Sequence, residues 1–204
     1  MPPKKSDIDT DGKLDQILKK VDANGNKLDA ALSQLEVNTR RLSLLEEKLN
    51  DSLQYSRAHC VKIIGLPVSG DTPLDAAKQT HSALLPILDL AKKDGQLDHI
   101  PSLWQLFDMA HKLNNNKGLH LLQVRFTTKM YKSVIMKYKS VYFKSSTAKF
   151  SILDDLTKMN ADLLRNTKTR SDVEKCWYQN GKVKYIVKGE DKIQVAKPTL
   201  PTLS

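Results

Sequence analysis

Aromatic side chains make up only 6% of this chain, and cysteine occurs twice. Two cysteines, Cys60 and Cys176, exclude a disulfide-stapled scaffold and a four-cysteine zinc site. Eight glycines and eight prolines are too few for a collagen-like or low-complexity chain. No apolar run approaches the roughly 18 residues that a membrane-spanning helix needs. The start, Met1-Pro2-Pro3-Lys4-Lys5-Ser6, lacks a hydrophobic signal region. A reducing compartment, cytoplasmic or nuclear, is therefore expected. GxGxxG, GxxxxGK(S/T), HExxH and GxSxG are all missing, so no motif supports an enzyme, a cofactor or a small-molecule substrate. The histidines (His59, His81, His99, His111, His120) are scattered, and no metal site is expected. Cys60 and Cys176 read as small core hydrophobes rather than as a nucleophile pair with His59.

What is present is positive charge, and it is segregated. The 204 residues carry a formal charge of +10. Residues 1–55 hold nine basic and ten acidic side chains, residues 56–119 seven and six, and residues 120–204 seventeen and seven. The whole excess lies in the last part of the chain. A solvated lysine-rich surface would serve solubility alone. So complete a separation is also the footprint of a phosphate-binding face. A membrane surface fits less well, because the basic part has no long helix with one broad apolar face.

Residues 13–55 carry a seven-residue repeat. Leu14, Val21, Leu28, Leu35, Leu42 and Leu49 fall seven apart, at position a. Ile17, Asn24, Ala31, Asn38, Leu45 and Ser52 then occupy d. Six heptads with a fully apolar a column predict a self-associating coiled coil. Asn24 and Asn38 in the seam would fix register, and Asn24-Gly25-Asn26 predicts a kink or fray. Arg41-Leu42-Ser43-Leu44-Leu45-Glu46 places Arg41 at g and Glu46 at e, where the guanidinium can fork onto a neighbouring glutamate. This resembles the trimer-specifying coiled-coil motif.

Residues 56–153 read as an α/β unit. Cys60–Pro67 is a β-branched run that ends in Gly and Pro, a strand. Asp71-Thr72-Pro73 predicts a capped helix from about Leu74 to Lys93, with Pro86 inside it. Trp104–Leu113 reads as a second strand, 114–118 as a turn and Leu119–Phe126 as a third strand. Thr127 or Thr128 caps a helix through about Lys139, and a last strand lies at Lys149–Leu153. The order β-α-β-β-α-β is shared by ferredoxin-like folds, RNA-recognition modules among them. Aromatics for base stacking are scarce here: the first strand has none and the third has only Phe126. Contacts would then fall to Arg125, Lys129, Lys132, Lys137, Lys139 and Lys144, with weak sequence preference and strong salt dependence. Tyr138, Tyr142 and Phe143 could stack bases or fill the core. Trp104 and Trp177 are expected as core anchors.

Residues 154–196 read as a small basic α+β domain. Asp155 or Thr157 caps a helix that contains Leu163-Leu164-Arg165 and runs to about Lys175. Cys176–Val187 follows as a hairpin that turns at Asn180-Gly181. Lys182 and Lys184 alternate with Val183 and Tyr185, so lysines and apolar residues take opposite faces. Residues 1–12 and 197–204 are expected to be disordered.

"FSILDDLT", the following Leu163-Leu164 and "CWYQNGKVKYIV" together resemble the C-terminal domain of the baculoviral few-polyhedra (FP) protein family. The matching positions include Ile152, Asp155, Leu156, Thr157, Trp177, Asn180, Gly181, Val183 and Val187. The layout of coiled coil, RNA-recognition-like domain and small C-terminal domain resembles the first-reading-frame RNA-binding protein of LINE retrotransposons. "VKIIGLP" at 61–67 and "LQVRFTTKMYKSVIMKYK" at 122–139 are the segments that carry this likeness. The resemblance implies a homotrimeric, chaperone-like protein of viral or transposon type that binds single-stranded RNA or DNA.

The expected fold is thus α+β: coiled-coil helix, ferredoxin-like domain and small C-terminal domain. Expected nucleic-acid contacts are Arg125, Lys129, Lys132, Lys137, Lys139, Lys144, Arg165, Lys182 and Lys184. Expected self-association contacts are Leu28, Leu35, Arg41, Leu42, Leu45, Glu46 and Leu49. The competing reading is a coiled-coil scaffold whose basic half docks acidic proteins.

Overall fold

The computed structural model describes the backbone of residues 5–113 and 120–198. The turn expected at 114–118, the start of the third strand at Leu119, and residues 1–4 and 199–204 lie outside the described residues. The molecule is α+β, with one long helix and two small antiparallel sheets. It divides into two compact units, Met1–Leu49 and Asn50–Ser204.

The first unit consists of most of α1 (Lys5–Ser56), which starts ahead of residue 13 and is helical through Asn24-Gly25-Asn26. Proline is absent from these 52 residues, so nothing interrupts the backbone ladder. None of the side chains of residues 12–49 is buried. Leu28, Leu35, Leu42, Leu45 and Leu49 are each more than half exposed. A helix with no packed face draws little stability from its propensities alone. Asn38, a seam position, accepts from Gln34 Nε2 at 3.0 Å.

The second unit opens with the last two turns of α1. It continues with β1 (Cys60–Ile64), α2 (Pro73–Lys93), the short α3 (Leu103–Leu106), β2 (Phe107–Lys112) and β3 (Leu121–Phe126). Then come α4 (Lys129–Ser145), β4 (Ser151–Asp154), α5 (Lys158–Lys168), β5 (Val173–Gln179), β6 (Lys182–Val187) and β7 (Ile193–Val195). The first sheet has the order β2-β3-β1-β4 and the second β5-β6-β7. Local chemistry sets the helix starts. Thr72 and Asp75 form a capping box for α2, with Pro73 in its first turn. Thr128 and Thr157 accept from the amides of Tyr131 and Asn160.

Alternation divides the first sheet into two faces. Val61, Ile63, Leu122, Val124, Phe126 and Ile152 pack beneath α2 and α4, against Leu84, Ile87, Leu88, Val134 and Ile135. Tyr138 is buried in this cluster, and Tyr142 and Phe143 pack against it, so these aromatics fill the core. The register Cys60↔Arg125, Lys62↔Gln123 and Met109↔Arg125 sets the opposite face. In the second sheet Val183 and Tyr185 are buried, and Cys176 lies against the Leu164 carbonyl of α5.

Several expectations are corrected. Trp104 does not open a strand: it stands 72% exposed in α3, held by a capping box between Ser102 and Gln105. Trp177 is half-buried on the sheet face turned away from α5, not a core anchor. α4 extends to Ser145, beyond Lys139. α5 ends at Lys168 rather than near Lys175, because the Thr169 amide closes the last turn on the Arg165 and Thr167 carbonyls. Asp155 caps nothing. β7 had no counterpart in the expected order.

Candidate nucleic-acid interface

The open face of the first sheet is built around Asp155. Its carboxylate is fully buried. It accepts from Gln123 Nε2 at 2.6 Å, Lys62 Nζ at 3.0 Å and Arg57 Nη1 at 3.3 Å. A buried carboxylate must be paired, and three donors from three segments do so here. The adjoining backbone is held equally firmly. Gln54 Nε2 donates to the Asp155 carbonyl, and Gln54 Oε1 accepts from the Thr157 amide and from Asn160 Nδ2. Thr157 Oγ1 donates to Asn50 Oδ1 at 2.6 Å, and Asn50 Nδ2 donates to Asn160 Oδ1 at 3.3 Å. The end of α1 and the start of α5 therefore interlock through buried, satisfied polar groups.

Beside this node lies a cleft of about 240 Å³ lined by Ser56, Arg57, Cys60, Met109, His111, Gln123 and Arg125. The Arg125 guanidinium also pairs with Asp108 at 3.2 Å, both half-exposed. The His111 Nδ1 is buried with no hydrogen-bond partner among the described residues. Burial pushes the Cys60 thiol up from its ordinary range, which keeps it a thiol.

The expected cations separate into two kinds. Lys132 is 11% exposed and pairs with Asp154 at 2.8 Å. Lys139 donates to the Ile152 carbonyl at 2.7 Å, and burial lowers its pKa. Both tie α4 to β4 and have little freedom to meet a phosphate. Lys137 is exposed, near Asp94 and Gln96. Arg165 is exposed and pairs with Asp162 one turn away. Lys129, Lys144, Lys182 and Lys184 are the freer cations: none forms an ion pair with a carboxylate among the described residues. The nine expected contacts thus lie on four elements, β3, α4, α5 and β6.

Lys182 and Lys184 belong to a face that sequence reasoning captured only in part. The pairs Trp177↔Lys184 and Gln179↔Lys182 lie beside Lys184↔Val195 and Ile186↔Ile193. Trp177, Lys184 and Val195 form one cross-strand row, and Lys175, Ile186 and Ile193 the next. The signal was available: a two-residue turn at Asn180-Gly181, both with positive φ, forces this register. Opposite this face, burial and the nearby Asp154 and Asp51 push the Tyr178 phenol up to about 12.

The self-association residues Leu28, Leu35, Leu42, Leu45 and Leu49 are exposed along α1, and Arg41 and Glu46 are exposed with them. No helix among the described residues is long and apolar enough to cross a membrane, and no group of potential metal ligands is found among them. No protein-family model matches the chain, and neither does any curated protein.

Proposed function

We propose that this protein is an oligomeric, chaperone-like binder of single-stranded RNA or DNA with low sequence specificity, acting in the cytoplasm or nucleus. The observation that carries this reading is the distribution of charge. The entire excess of +10 belongs to residues 120–204, where Lys129, Lys144, Lys182 and Lys184 lack carboxylate partners among the described residues. Such cations can exchange condensed counterions for phosphates. The strand order β2-β3-β1-β4 supports a ferredoxin-like, RNA-recognition-like domain, and the likeness to the FP and LINE proteins points the same way.

The second ingredient is α1. A stripe of leucines more than half exposed is costly in water and is resolved when helices pair. The motif from Arg41 to Glu46 favours three strands. Oligomerisation would tether several weak basic surfaces, so that overall affinity exceeds that of any one of them.

The test keeps the full chain. Leu28→Ser, Leu35→Ser and Leu42→Ser together should give a monomer by light scattering. The same variant should bind single-stranded RNA at least about 100-fold more weakly by fluorescence anisotropy. Affinity of the unaltered chain should fall steeply with salt, by roughly 0.7 in the logarithmic slope for each phosphate neutralised. Absence of binding at low salt would refute nucleic-acid recognition. Binding to acidic proteins would then favour the scaffold reading.

A further inference from the structure

We infer that the outer face of the β5-β6-β7 sheet is a stacking platform for unpaired bases, with Trp177 as the ring on which a base rests. The inference rests on the nucleic-acid reading above and assigns it a place. The other face of this sheet is already used, since Val183 and Tyr185 are buried and Cys176 lies against α5. The outer face reaches solvent: Ile193 is 54% and Val195 45% exposed. On it, Trp177, Lys184 and Val195 stand directly opposite one another across three strands.

The composition of that row chooses the partner. Lysine is depleted at the centres of protein-protein interfaces. Here Lys184 is the central member, flanked by an indole and a valine. Its ammonium donates to Gln179 Oε1 at 3.1 Å, which brings a positive charge beside the apolar surface. Lys182 lies one row away on the same strand face, and Lys175 on the other side of Trp177, paired to Glu174 at 3.4 Å. An aromatic face bordered by ammonium groups suits a base on the ring and phosphates on the lysines. Every base has a π-face, so such a platform is tolerant of sequence. It also supplies what the first sheet lacks, whose third strand offers only Phe126, and that side chain is buried.

The experiment uses the full chain with Trp104→Phe, which leaves Trp177 as the only tryptophan. Oligothymidylate should quench its fluorescence saturably. An abasic oligodeoxynucleotide of equal length should bind through charge and leave the emission unchanged. Trp177→Ala should weaken oligothymidylate binding by about 10-fold or more. The same change should leave affinity for the abasic strand within about 2-fold, and Trp177→Phe should restore most of the loss. If oligothymidylate binds without altering Trp177 emission, or if Trp177→Ala weakens both strands equally, the platform is overturned while nucleic-acid binding stands. If neither strand binds, the functional reading itself fails. The quenching arm needs no change at Trp177, so an unstable Trp177→Ala variant would still leave a decisive result. Emission already blue-shifted and insensitive to every strand would instead mean that protein covers this face.

Discussion

Replacing Asp155 with alanine would remove one carboxylate and strand three donors. The carboxylate has no exposed surface and holds Lys62 at 3.0 Å, Arg57 at 3.3 Å and Gln123 at 2.6 Å. Breaking a fully buried ion pair from one side costs about 3–5 kcal/mol. The two cations here keep 32% and 38% of their side-chain surface in solvent, so water recovers part of that loss. The expected cost is therefore about 2–3 kcal/mol, taken where the segment after β4 meets Arg57, β1 and β3. At about 2–4 °C per kcal/mol for a unit of this size, the melting temperature should fall by roughly 4–12 °C. Urea unfolding followed by circular dichroism measures the free energy. Asp155→Asn should lose less, because the amide oxygen still accepts from one donor. The Gln54 contact to the Asp155 carbonyl is a main-chain bond and should survive both changes. A loss under about 0.5 kcal/mol for Asp155→Ala would refute the view that this node joins the elements.

Lys132→Ala and Lys139→Ala should lower stability with no change in the salt slope of nucleic-acid binding, whereas Lys182→Ala with Lys184→Ala should flatten that slope and leave the melting temperature within about 2 °C; paired melting and anisotropy experiments separate the two. Gly65 adopts φ +86, and a Cβ there would stand 2.7 Å from the Lys149 carbonyl oxygen, so Gly65→Ala should cost about 1–3 kcal/mol in urea unfolding. Tyr178 should titrate late in ultraviolet absorbance, near a value of about 12 set by burial and neighbouring acids. The folded state then holds the proton more tightly than the unfolded chain. The stability this contributes is complete below about pH 10 and disappears as pH rises from there through about 12. Tyr178→Phe should remove this late-titrating phenol and its part of the alkaline loss.

Much of the local architecture follows from short-range rules. The heptads of 13–55, the Thr72-Pro73 start of α2 and the Thr157 cap each depend on residues within one or two turns. The hairpin at Asn180-Gly181 is equally local. Its two-residue loop fixes the pairing of Gln179 with Lys182, and alternation then fixes Trp177 opposite Lys184. The inward roles of Lys132 and Lys139 were not legible. A lysine on a helix reads as solvated unless a carboxylate or carbonyl from another strand arrives beside it, as Asp154 and Ile152 do.

Trp104 shows the same limit from the other side: an aromatic next to Leu103 and Leu106 reads as core, yet the short α3 turns Leu106 inward and leaves the indole out. β7 is three residues long, too short for its alternation to be distinguished from a loop, and exists because β6 offers it an edge. Asp155 gathers Arg57, Lys62 and Gln123 from across 98 residues of chain, and no local pattern marks those residues as partners. The sequence by itself determined most of the helices and strands, α3 and β7 excepted, because those choices are made by neighbours along the chain. Only the tertiary structure decided which cations are consumed inside the fold and which remain to meet a ligand, because that depends on groups distant in sequence that meet only when the fold closes.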